Sequence, residues 1–342
     1  MRGLLRRRAR HIGGSPPSPY PLLPLSGGRG LFLTIILAAC APADAPLPRE
    51  PVAADGTIRI IAEALPLNPG NPDETRIGRF TYAGGVALTS EDTARLHGLS
   101  DLLVEPDGRM LAVSDEGDLI EARLVLDGAG RLTGVTGAKI RPLLGPDGQP
   151  LPGKLEADSE GLARLPNGDL LVSFEQRHRI WLYPANGEPP RDAPAPQAQF
   201  PANGGMEALS GDPAAGPDAY LTGGEDGAQL FACRLSGGCA PAGALERPGR
   251  EFGLVAVRRL PEGRTAYLLR AFDPLRGNRI VLKIDGPHGE VDRLELARPM
   301  TVDNFEAVAA VPIRGGLRFY LLSDDNFQKI QRTILMAFDW RP

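Results

Sequence analysis

At 342 residues, with 42% apolar but only 6% aromatic side chains, the chain can bury a sizeable core whose packing must come mainly from aliphatic strands. Its 42 glycines and 34 prolines suit many short strands joined by tight turns and argue against a helical bundle. A formal charge of -4 gives no electrostatic reason to expect nucleic acid as a partner.

The chain opens on a basic cluster, Arg6, Arg7, Arg8 and Arg10, followed by a Pro/Gly/Ser-rich stretch from Gly13 to Gly30. The apolar run from Leu31 to Leu37 then leads into Ala38-Ala39-Cys40. Basic residues, a short apolar core and small residues before a cut describe a secretory signal. The run is too short to span a bilayer, which takes about 20 apolar residues. Leu-Ala-Ala-Cys resembles the lipobox of bacterial lipoproteins, with Cys40 as the lipidated first residue; simple cleavage and a free cysteine are the alternatives. Arg29 with Leu31 to Ala39 already makes a compact signal, so translation from near Gly27 would suffice. Residues 1–39 therefore read as a leader, 40–54 as the lipidated cysteine and a flexible Pro/Ala-rich tether, and 55–342 as one folded domain. The expected location is the periplasmic side of the envelope, with the membrane as partner through the lipid. Ala41 and Pro42 after Cys40, in place of Asp, favour the outer membrane.

Beyond the tether, apolar stretches of four to seven residues recur between turn signals: Arg109–Ser114 after Glu105-Pro-Asp-Gly108, Asp169–Phe174 after Leu165-Pro-Asn-Gly168, then Ile180–Tyr183, Ala219–Thr222, Ala266–Arg270, Ile280–Ile284 and Leu317–Ser323. Boundaries of Gly, Pro, Asn or Asp mark these as strands, and no segment carries a long capped helical stripe. Three times a strand ends in an acid, at Ser114-Asp115, Phe174-Glu175 and Ser323-Asp324. A repeated turn, strand and polar end is how propeller blades read in sequence. Cys233 and Cys239 flank a Ser-Gly-Gly turn that can return the chain on itself. In an exported protein this points to a local disulfide, and the lack of nearby His or further Cys argues against a metal there.

Acidic motifs dominate the chemistry. An acid abutting a buried strand is costly unless paired, hydrogen-bonded or metal-bound, and propeller strands point their ends at a central channel. Converging carboxylates can coordinate Ca²⁺ or share protons in acid/base work. Asp107, Asp147 and Asn167, beside Gly, are turn residues. Asp115, Glu160, Glu175, Glu207, Glu306 and Asp324 abut apolar residues, and the frames Glu160-Gly-Leu-Ala, Glu207-Ala-Leu and Glu306-Ala-Val suggest equivalent places in different blades. The candidate catalytic set is Glu160, Glu175, Glu207, Glu306 and His178, with Asp115, Asp158, Asp303 and Asp324 as candidate metal ligands. Arg177, Arg270 and Lys329 are candidate substrate-binding cations, although Arg177 and Arg270 can equally pair with the acids. No Gly-x-Ser-x-Gly elbow, Arg-His-Gly, His-Glu-x-x-His or P-loop motif occurs.

Taken in order, Gly98-Leu-Ser100 with Ser114-Asp115, Asp158-Ser-Glu-Gly-Leu-Ala163 with Glu175, Asn203-Gly-Gly-Met-Glu-Ala-Leu209, Asp303-Asn-Phe-Glu-Ala-Val-Ala309 and Leu322-Ser-Asp-Asp-Asn-Phe327 resemble the phytase-like (esterase-like phytase) family. The resemblance implies an all-β propeller of six blades, export, and activity on esters, phosphate esters included. A hydrolase using Ca²⁺ and channel carboxylates on a small ester or phosphoester is the first expectation. A lactonase-like hydrolase and a non-enzymatic ligand-binding propeller are the alternatives.

Overall fold

The computed structural model describes residues 52–342; the leader, Cys40 and most of the tether lie outside the described residues. Within them no helix is long and apolar enough to cross a membrane. Three strands come first, β1 (Ile61–Ala64), β2 (Arg76–Ile77) and β3 (Phe80–Thr89). Four antiparallel meanders follow: β4 (Leu99–Val104), β5 (Arg109–Ser114), β6 (Asp118–Leu126) and β7 (Leu132–Pro142); β8 (Ser159–Arg164), β9 (Leu170–Phe174), β10 (Arg179–Tyr183) and β11 (Arg191–Ala193); β12 (Ala208–Gly211), β13 (Ala219–Gly223), β14 (Gln229–Arg234) and β15 (Gly238–Ala244); and β16 (Gly253–Arg259), β17 (Thr265–Asp273), β18 (Gly277–Gly286) and β19 (Gly289–Leu296). The last strands, β20 (Asn304–Ile313), β21 (Gly316–Asp324) and β22 (Ile334–Trp340), join the first ones in the order β20-β21-β22-β3-β1.

The opening strands β4, β8, β12, β16 and β20 touch one another in cyclic order around an axis, so the five sheets are the blades of a β-propeller. Five blades replace the six expected. That expectation came from resemblance, and no local signal contradicted it. Strands as long as the 11 residues of β7 and the 10 of β18 enlarge single blades, and one blade is assembled from both ends of the described chain. In it β22 pairs with β3 from Ile334↔Ala87 to Trp340↔Phe80.

Local chemistry explains the strands. In the turn before β5, Gly108 takes φ 83°, a conformation glycine adopts without a Cβ clash, and Asp107 Oδ1 accepts the Arg109 N–H at 3.1 Å. β5 is buried from Met110 to Ser114, as a strand covered on both faces must be. The edge strand β19 instead alternates, with Leu294 and Leu296 inward and Arg293 and Glu295 outward, which charges an edge that would otherwise pair with other chains. Cys233 and Cys239, opposite each other on β14 and β15, are joined by a disulfide.

A buried ion pair closes the middle of the ring. Asp101 on β4 and Arg258 on β16 meet at 2.5 Å, 1% and 7% exposed. Arg258 also donates to the carbonyls of Leu209 on β12 (2.6 Å) and Leu102 on β4 (2.8 Å), while Asp101 Oδ2 accepts the Leu162 N–H of β8 at 2.7 Å. One pair thus pins four inner strands together.

Candidate functional site: a carboxylate ring at one end of the axis

The inner strands begin, and the second strands end, at the same rim of the propeller, and the pairing repeats from blade to blade. In four blades the ladder is irregular just inside the start of the inner strand, around Ser100, Glu160, Val255 and Glu306. In the remaining blade Glu207 takes the place immediately before β12. The bulged residue is the one the ladder leaves unpaired and re-aims, so the three Glu-Gly/Ala-Leu/Val frames are equivalent. The ends of the second strands form a matching set. Asp115, Glu175 and Glu225 follow β5, β9 and β13, their N–H groups donating to Gly98, Asp158 and Gly205. Arg270 pairs with Gly253, and Asp324 with Asn304.

Glycine permits two of these approaches. A Cβ on Gly161 would meet Ser173 Oγ at 2.5 Å and the Glu207 carbonyl at 2.7 Å, so a larger residue would hold β8 away from its neighbour. At Gly205 a Cβ would strike His178 Nδ1 at 2.7 Å and Glu175 Cγ at 3.1 Å. The Gly204 and Gly205 N–H groups both donate to Glu175 Oε1, the latter at 2.9 Å.

These positions bring eight carboxyl groups into mutual electrostatic range: Asp115, Asp158, Glu160, Glu175, Glu207, Glu225, Glu306 and Asp324. Two cations sit among them. Arg270 bonds Glu225 at 3.1 Å and Glu306 at 3.2 Å and donates to Asn304 Oδ1, whose amide in turn donates to Glu306 at 2.8 Å. Lys154, on the single turn α1 (Gly153–Ala157), reaches Asp115 at 2.6 Å and Asp158 at 2.9 Å. Glu160, Glu207 and Glu306 are each half-buried, their ends wetted but with protein on every other side.

Burial and crowding favour the neutral acids. Glu160 is pushed well above the usual range by burial and then by Asp158, Glu306 and Glu175. Glu207 is raised likewise, by burial and then Glu225 and Glu160, against the pull of Arg270. For Glu306 burial raises and Arg270 opposes. Asp324 is pushed up to about 8, by burial first and then by Glu306. A carboxyl whose folded value is raised contributes stability that is fully present below its unfolded value and lost as pH rises through the folded one. Carboxyls held low, such as Asp107 and Asp273, act oppositely but have finished titrating by about pH 5. Without divalent cations, Tm is therefore expected to fall between about pH 5 and about pH 8, the window of Asp324. Scanning calorimetry in chelator reads this, and a flat or rising profile would refute the assignment.

The ligand atoms of Asp158, Glu160 and Glu175 lie within 4.8 Å of one another. Asp158 is 1% exposed; its Oδ1 lies 2.9 Å from the Lys154 ammonium, and its Oδ2 has no hydrogen-bond partner. A buried carboxylate with one oxygen unpartnered, beside two more carboxylates, is a donor set that fits a hard divalent cation.

Of the residues singled out in the sequence, Asp115, Asp158, Glu160, Glu175, Glu207, Arg270, Glu306 and Asp324 meet here. The others do not join them. Asp303 accepts the N–H groups of Asn304 (3.0 Å) and Arg332 (3.2 Å) and holds the loop after β21. Arg177 pairs with Glu156 on α1. His178 packs on Gly205 beside Glu175, but its Nε2 lies 2.8 Å from the Pro201 carbonyl and its ring is edge-on to Phe200. Lys329 is exposed on the loop after β21. Glu225 and Lys154 belong to the site without having been singled out for it. Glu225, between Gly224 and Asp226-Gly227, carried the signal of a turn acid.

Among solved structures the chain is similar to a putative gluconolactonase (14% identity, TM-score 0.43, covering 88% of this chain and 94% of that one). It is also similar to a catalytically inactive virginiamycin B lyase from Staphylococcus aureus (12%, 0.39, 83% and 89%) and to the Malassezia sympodialis allergen Mala s 1 (14%, 0.42, 78% and 91%). No curated protein matches the sequence. The family described as "Phytase-like: Esterase-like activity of phytase" matches residues 94–327, a span that takes in every member of the carboxylate ring. The chain belongs to that phytase-like family.

Proposed function

We propose that this rim is the active site of an exported hydrolase of phosphate or carboxylic esters, with Asp158, Glu160 and Glu175 holding a divalent cation such as Ca²⁺. One observation carries the reading: eight carboxyl groups surround two cations, and the most buried of them, Asp158, has Lys154 on Oδ1 and no hydrogen-bond partner for Oδ2. When bound, a cation of this kind neutralises a phosphoryl or carbonyl oxygen as a Lewis acid. The protein's own groups do the rest. Glu207, whose carboxyl is pushed toward its neutral form by burial and by Glu225, is the group placed to give a proton to a leaving oxygen. Glu306, fixed by Arg270 and Asn304, is placed to orient water and accept its proton. The leader ending in Cys40 supports export and lipid attachment at the periplasmic side of the envelope, with the outer membrane favoured.

The test uses the domain without residues 1–50, assayed on p-nitrophenyl phosphate, p-nitrophenyl acetate and a sugar lactone, in Ca²⁺ and after chelation. Ester turnover lost on chelation and restored by Ca²⁺ is expected. Turnover confined to the lactone would move the reading to a lactonase. Inactivity on all three, with no Ca²⁺ retained on dialysis, would leave a ligand-binding propeller.

A further inference from the structure

Between the third and fourth blades a cleft of about 190 Å³ opens beside the ring, sharing Glu225 and Arg270 with it. It is smaller than the roughly 300–1,000 Å³ of pockets that enclose whole small-molecule ligands, and so is sized for one substituent. Arg247 and Arg250 line it, with Phe272 at its edge. Phe272 is 67% exposed at the end of β17, which leaves its ring free to stack on a flat apolar group.

The charges around the ring divide unevenly. Lys154, Arg177 and Arg270 are each committed to carboxylates, and Arg179 stacks on Phe174 and Trp181. In the cleft, Glu225 is already held by Arg270 and Glu251 by Arg279 at 3.3 Å. Arg247 donates only to backbone carbonyls, those of Phe252 at 2.9 Å and Arg250 at 3.2 Å. The Arg250 side chain is exposed. The lining thus carries Arg247, Arg250 and Arg270 against Glu225, Asp226 and Glu251, and among the described residues neither Arg247 nor Arg250 is in an ion pair with a carboxylate. Two guanidinium groups without a carboxylate partner, beside an anionic ring, are where a substrate's own negative charge would be drawn, away from the carboxylates.

We infer that this cleft, through Arg247, Arg250 and Phe272, binds an anionic substituent carried on an aryl or similarly flat apolar part of the substrate, while the ester lies over the carboxylate ring. The inference rests on the proposed hydrolase site for its catalytic half only. Guanidinium groups recognise carboxylate and phosphate alike, so both are probed. Acetate esters of phenol, of 4-hydroxybenzoate and of 4-hydroxyphenyl phosphate are compared in the wild-type domain and in R247Q/R250Q. KM for the two charged esters should rise about tenfold with kcat unchanged, the signature of lost ground-state binding, while phenyl acetate is unaffected. The larger of the two charged-ester effects identifies which anion the cleft prefers. An equal change for phenyl acetate, or none for either charged ester, would overturn the inference. Calorimetric binding of 4-hydroxybenzoate and of inorganic phosphate reads the cleft without turnover. Failure of both to bind the wild type, or undiminished binding by R247Q/R250Q, overturns the cleft assignment even where the hydrolase reading stands. Binding lost in the variant supports it even where no ester is turned over.

Discussion

Replacing Asp158 by Asn is expected to remove divalent-cation binding and to lower ester turnover by about 10²–10³-fold, the several kcal/mol that a Lewis-acidic ion contributes to a transition state. The substitution keeps volume and removes charge. No backbone N–H depends on the Asp158 carboxylate; its backbone carbonyl, which accepts the Glu175 N–H at 2.7 Å, is untouched. The fold should therefore survive, and circular dichroism with a thermal melt separates loss of function from loss of structure. Calorimetric titration with Ca²⁺ measures the binding. Asp107→Asn, at a turn far from the ring, is the matched control and should bind as the wild type does. Unchanged Ca²⁺ affinity in Asp158→Asn would sink the cation site.

Arg258→Ala should destabilise the domain by about 3–5 kcal/mol, because it leaves Asp101 charged and uncompensated in the interior. Burial already pushes the Asp101 carboxyl up, and Arg258 is the main opposing influence. The loss also frees the Leu209 and Leu102 carbonyls, each deprived of its guanidinium donor. Replacing both members together, as Asp101→Leu with Arg258→Met, should cost much less, since two desolvated charges disappear along with their attraction. Urea unfolding with unchanged m-values distinguishes these. A single-variant loss under about 1 kcal/mol would mean that water reaches the pair and that it does not pin the strands.

Much of this architecture could be read locally. Strands after Pro-Asp-Gly and Pro-Asn-Gly appear where the turn chemistry put them, and the frames at Glu160, Glu207 and Glu306 do occupy equivalent places, because each stands at the start of its blade's inner strand, at a bulge for Glu160 and Glu306 and just before β12 for Glu207. What stayed hidden depends on distance in the chain. Arg258 finds Asp101 across 157 residues, and neither position is distinguished by its neighbours. Lys154 enters the ring from a five-residue helix that carries no helical periodicity. Asp303, adjacent to a ring residue, looked like a ligand, but its carboxylate turns to Arg332. Blade number is hidden for a related reason: it counts closures, and a closure leaves no mark at any single position.

The stitching of β22 to β3 sets the order in which the molecule can become itself. A chain emerging N-terminus first carries β3 with one edge unsatisfied until Trp340 arrives, so the ring is a late, non-local event of the kind that slows β-rich folding. Until then the edges of β3 and β21 are both open templates for foreign strands. A nascent or C-terminally clipped chain is thus an aggregation hazard in a way the finished one is not, and its safe assembly depends on the whole polypeptide being delivered to one place before any of it commits.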